Sequence, residues 1–411
     1  MRISFNMQFN QSLNGILDTQ KKMSRAENQL TKQTRILSPA DDPAASAKVL
    51  GLNQNLAQIE QFQKNSVLLQ NNLALEETIL TTMRTSFDRV STLSIATGNG
   101  TYTERERQAI AFEMKNIQTE LFDLMNSKNA DGGYIFAGFQ DRAPAYELDQ
   151  GSGRYKFQGD DGFKALQISP SISMPGNDSG KAIFDDVFAR FKTQLPVVAS
   201  GSPTSVKIAV AQQNQFNAFY MGNYDNQTAA NNTYNIAIDA ASNFQILKNG
   251  VALTPAVTGS YVDGQDINFN GLSIKITGAS AAPGQIDFTL ALPEKKNILN
   301  TIQDFIAVLE TSGLSNDQLT EAIQDVLAQT EDSASKLDST LANIGGRVNV
   351  LDSVFGSNED LTINNKEYRA DLSEVDFAAA MTEIKRQEIA LQAVSTTFGK
   401  ISATTLFDFI R

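Results

Sequence analysis

Both ends of the chain carry the same device, a narrow apolar seam at helical spacing. Near the start, Phe9, Leu13, Ile16, Met23 and Leu30 recur in heptad fashion, with Gln20 and Glu27 in the same register. Near the other end Ile384, Leu391, Val394, Phe398 and Ile401 do the same. Steps of three and four set these residues on one stripe, the width of a helix–helix contact rather than of a broad core. Between them, from about Asp131 to Pro293, Gly, Asn, Thr and alternating β-formers take over. A chain that leaves on one helical arm and returns on another predicts an α+β multidomain rod. Long antiparallel, coiled-coil-like helices run from both chain ends, and a mainly β domain is inserted between them. Such a plan suits a structural subunit.

Composition points the same way. The 411 residues suffice for two or three domains, and the net charge is −12. An acidic chain is a poor ligand for nucleic acid, because phosphate binding needs a basic face. No apolar run reaches the roughly 18 residues of a membrane span, and the N-terminus does not read as a cleavable signal peptide. Cys, His and Trp are absent, which removes disulfides, thiolate metal sites and the commonest general base. No enzyme, cofactor or metal is expected.

The first arm, residues 1 to about 37, is rich in Asn and Gln. Ordering each residue costs about 1–2 kcal/mol, and a buried apolar side chain returns about 1.5–3 kcal/mol. A lone arm is therefore expected to be disordered in the monomer and helical only when seams are pooled. Ser38-Pro39 is expected to break the first helix, and Asp42-Pro43 reads as N-cap and first residue of the next. Pro39, Asp42 and Pro43 thus mark a hinge, with Asp41-Asp42 a capping pair rather than a metal site. A helix is predicted over 43–97 with Phe62, Leu69, Leu73, Leu80, Met83, Phe87 and Val90 inward. Thr103 with Glu106, and Ser315 with Gln318, are capping boxes that open further helices; Asp371 with Glu374 is read as opening the last arm.

In the middle, Tyr134–Phe139 and Arg154–Gln158 read as strands around Gly151-Ser152-Gly153. Tyr234–Ile238, Ile267–Phe269, Leu272–Ile276 and Gln285–Leu290 alternate with period two, and Asn270-Gly271 is a type I′ hairpin signal. Gly151-x-Gly153 lacks the rest of a dinucleotide fingerprint, and Asp160-Asp161-Gly162 and Asp185-Asp186 fall short of a calcium loop. The Asn-x-Ser/Thr triplets at Asn177, Asn226 and Asn231 sit where composition makes them common.

Several segments together resemble the bacterial flagellin family. They are Met1-Arg2-Ile3-Ser4, the hinge Arg35–Pro43, Asp131–Gly138, Ile344–Asp352 (from which Gly346 and Val350 depart) and the ending Thr405–Ile410. Asp263–Gly271 extends the likeness weakly into the insert. The ending is similar to the family's hook–filament junction branch rather than to filament flagellins. The resemblance implies three layers: terminal arms at 1–40 plus 370–411 as an inner coiled coil, a helical domain with a β-hairpin at 41–165 plus 296–369, and an outer β insert at 166–295. It implies a structural adaptor joining hook to filament, self-assembled in a ring, extracellular, and exported by the flagellar type III apparatus without signal-peptide cleavage. Implied partners are a second hook-associated protein, flagellin, and a cytoplasmic chaperone on the C-terminal arm, with neither nucleic acid nor membrane insertion. Two other readings stay open: a filament-forming flagellin, and an extracellular ligand- or glycan-binding module in the β insert.

Overall fold

The computed structural model describes residues 5–99, 102–201, 203–278 and 283–407. The chain divides into two compact units. One gathers Met1–Asn71, Ala165–Met174 and Gly346–Arg411; the other gathers Asn72–Lys164 and Pro175–Gly345. Helices α2 (Pro43–Thr97) and α6 (Asn316–Ser373) contribute to both.

In the first unit α1 (Phe5–Lys32) lies antiparallel to α7 (Phe377–Phe407). Helix α1 stops at Lys32, short of Ser38-Pro39, because Gln33 takes a positive φ of 56° that a right-handed helix cannot continue. The Asp371–Glu374 box does not form either: α6 runs through to Ser373. Asp376 opens α7 instead, its carboxylate accepting from the N–H groups of Ala378 and Ala379. A short hairpin, β3 (Ala165–Gln167) with β4 (Ser173–Pro175), is held by Asn65 of α2, which donates to Gln167 O at 2.7 Å. Asn358 of α6 donates to Ile168 O at 2.9 Å.

In the second unit, the later part of α2 packs with α3 (Glu104–Met125), α5 (Ile298–Leu309) and the first part of α6. Phe62 and Leu69 of the inward stripe lie in the first unit, and its remainder, Leu73, Leu80, Met83, Phe87 and Val90, is fully buried here, as are Met114, Leu121, Ile302 and Leu309. The Thr103–Glu106 box is complete, and Ser315 and Gln318 exchange bonds in the same way. Tyr134–Phe139 is not a strand. Only Tyr134 bridges, to Lys128, and the rest is a chain of turns. Gly138 has φ 71°, and a Cβ there would lie 2.4 Å from the Asp160 carbonyl oxygen, so the segment bends where a strand would run on.

The strand that pairs with β2 (Arg154–Phe157) is β1, Tyr146–Asp149. Both open sides of this hairpin are closed by asparagines. Asn126 accepts from Tyr146 N–H at 2.9 Å and donates to its carbonyl at 3.1 Å. Asn300 of α5 does the same for Tyr155, at 2.9 and 3.0 Å.

Beyond this lies a β domain of two antiparallel sheets. One has the order β5 (Val197–Ser200), β12 (Gly284–Thr289), β7 (Thr233–Ile238), β8 (Asn243–Lys248), β9 (Val251–Ser260). The other is β10 (Asp266–Phe269), β11 (Leu272–Thr277), β6 (Ser205–Val210). The Asn270-Gly271 turn has φ of 46° and 85°, as a type I′ hairpin requires. Alternate residues of β11 and β12, with Phe216 and Tyr220 of α4 (Gln213–Asn223), form one core. The chain enters and leaves this domain as a two-stranded neck: Ala189 N–H donates to Glu294 O, Ala291 to Lys192 O, and Gln194 to Thr289 O.

Candidate assembly seam and hinge

The two seams meet each other inside one chain. Phe9 and Phe398 have ring centroids 5.1 Å apart at 48°, and a Cβ on Gly15 would lie 3.8 Å from Val394 Cγ1. Phe9, Ile16, Met23, Leu30, Ile384, Leu391, Val394 and Phe398 are half-buried, and Leu13 is exposed; the side chain of Ile401 lies outside the described residues. Among the described side chains of α1 and α7, only Ala26 and Ala380 are buried. Leu17 and Ile389 stay 55% and 67% exposed. An apolar stripe covered this thinly gains a fraction of what full burial would give.

At the hinge, both crossings between arm and body run side by side. Thr34 bridges Glu374 antiparallel, Arg35 N–H donates to Ser373 O at 2.8 Å, and the Arg35 guanidinium donates to Leu372 O at 2.9 Å. Asp42 Oδ1 accepts from Ala45 N–H at 3.0 Å, while Arg35 reaches its Oδ2 at 3.2 Å. These contacts, led by the Ala45 N–H, hold the Asp42 carboxyl below its ordinary range. Asp41 ties the loop: its Oδ2 accepts from Leu37 and Ser38 N–H at 3.0 Å and its Oδ1 pairs with Arg25 at 2.9 Å. The Ser38 and Leu37 donors lower its pKa. Pro43 is the first residue of α2, and Pro39 lines a cleft of about 500 Å³ with Ile36, Leu37, Val49, Leu50 and Arg369.

Arg25 and Arg369 leave no mark in the sequence, and Arg35 is recognisable there only as part of the hinge segment, without its partners. Arg25 and Arg35 meet loop carboxylates, Arg35 also the Leu372 carbonyl 337 positions away, and Arg369 donates to Asn53 Oδ1 of α2; such contacts leave no periodic trace. Among the described residues, no His/Cys/Asp/Glu group could hold a metal ion, and no helix is long and apolar enough to cross a membrane.

Residues 3–141 match the bacterial flagellin N-terminal helical region. Flagellar hook-associated protein 3 of Salmonella typhimurium is 29% identical over 187 residues, 46% of this chain and 58% of that protein. The match thus spans less than two thirds of that relative. Among solved structures, flagellar hook associated protein-3 from Legionella pneumophila superposes with a TM-score of 0.59 at 22% identity, covering 78% of this chain and 98% of that one. FlgL of Xanthomonas campestris gives 0.56 at 22%, covering 78% and 99%. At these identities the structures establish a shared fold: long helices at both ends and a central antiparallel β domain.

Proposed function

We propose that this chain, which belongs to the bacterial flagellin family, is a structural adaptor of the flagellum that joins hook to filament by self-assembly of its terminal helices. The observation that carries the reading is the half-covered seam. Helices α1 and α7 pair, yet leave Leu17, Ile389 and Leu13 in water and bury little between them. Neighbouring copies supply the missing cover, so the arms order fully on assembly. In this reading residues 1–40 with 370–411 form the inner layer, 41–165 with 296–369 surround it, and 166–295 face outward. Partners are a second hook-associated protein on the hook side, flagellin on the filament side, and an export chaperone that covers the C-terminal arm before secretion. No catalytic step is assigned.

Deleting the gene tests the reading. Loss of a junction protein leaves hooks intact and spills unpolymerised flagellin into the medium. Filaments that still grow on the hooks of the deletion strain would overturn it.

A further inference from the structure

Asp317, Glu321 and Asp325 recur every four positions in α6, which sets them on one face of the helix. Cations from the β domain and its neck meet them. Lys207 of β6 lies 2.6 Å from Asp317. Arg190 and Lys192, on the incoming strand of the neck, reach Asp325 at 2.6 and 3.3 Å and Glu321 at 3.8 and 4.0 Å. Most of these pairs are solvent-exposed, and exposed pairs contribute little. Arg190 differs. Its side chain is 4% exposed, and its fork donates to Asp325 Oδ1 and, at 3.0 Å, to Gln324 Oε1. A guanidinium buried this far is costly to leave without its carboxylate, and its planar donors fix direction as well as distance. The neck it sits on is a two-stranded ribbon whose Phe191 stacks on Tyr220 of the β domain, so Arg190 is carried by that domain, and a two-stranded ribbon alone is marginal in water.

We propose that Arg190 and Asp325 form a latch that fixes the bearing of the β domain on α6, and that without it the folded β domain swings about its neck. The inference goes beyond the adaptor role and does not depend on it.

The chain has no cysteine, so Ser339→Cys in α6 and Ala241→Cys in the β7–β8 turn, both exposed, carry spin labels at those positions alone. Pulsed dipolar spectroscopy on the full chain should give a narrow distance distribution. It should broaden in Arg190→Met and in the milder Asp325→Asn, and narrow again when Arg190→Asp is combined with Asp325→Arg. Amide-exchange protection of β7 should stay unchanged throughout. A distribution that stays narrow in both single variants overturns the latch. Loss of β7 protection in both overturns it too, since the pair would then serve the β domain's own stability. Failure of the swapped pair to narrow the distribution would place the effect in lost packing and also overturn it.

Discussion

Asn126 and Asn300 bracket the β1–β2 hairpin from its two open sides, each offering one acceptor and one donor to a single residue, as a neighbouring strand would. A lone two-stranded hairpin is marginal in water. Asparagine to aspartate keeps shape and acceptor but sets a carboxylate oxygen against a carbonyl. Asn300→Asp should therefore destabilise the second unit by about 1–3 kcal/mol at neutral pH. Acid should return part of this, since a protonated carboxyl donates again; calorimetry across pH measures both. Asp185 gives a second residue-scale prediction. Burial raises its pKa, and the hydrogen bonds from Asn297 and Tyr146 offset part of that rise. A raised carboxyl pKa means a penalty present above the folded pKa and relieved as pH falls through it. Asp185→Asn should thus gain stability over the wild type at neutral pH and lose the advantage in acid. An advantage independent of pH would disprove the assignment.

At the scale of elements, the seams predict a specific failure. Replacing Leu391 and Phe398 together by Asp puts charges into the α1–α7 contact and into whatever covers it. Melting of the second unit should barely move, amide protection in α1 should fall, and incorporation into flagella should stop. Unfolding of the whole chain would make the arms ordinary core. What was legible in the sequence follows from the range of each signal. Helix α2 was readable to the residue because Asp42-Pro43 opens it, Gly98 ends it, and one stripe repeats between them. The β10–β11 hairpin was readable from Asn270-Gly271. Strands β5, β8 and β9 were not, because their residues alternate weakly in burial, and β5 is exposed along its length. Strand β6 alternates with period two, but no turn signal like Asn270-Gly271 marks its partner, β11, which lies more than 60 residues on. Tyr134–Phe139 misled for the opposite reason. Ile135, Phe136 and Ala137 are buried, but their backbone bonds go to loop residues such as Asn177 and Gly180 rather than to a ladder.

For the whole molecule, burial is uneven. The second unit holds a continuous helical core and a β core, while the terminal arms bury almost nothing described. Brief proteolysis of the free protein should remove residues near 1–40 and 370–411 first and leave a resistant remainder; cleavage beginning in the β domain would contradict this. Each copy also carries a net charge of −12, so packing copies together works against their repulsion. Assembly of purified protein should accelerate between low and physiological ionic strength, where the screening length shrinks to about 8 Å. The neck has a consequence for descent. Because its strands enter and leave side by side, about 4.8 Å apart, the segment between Gln194 and Thr289 is a cassette. Joining those two residues through Asn-Gly should leave the helical body's melting intact. Lineages can therefore exchange whatever lies outward of the neck, as grafts onto an unchanged stock.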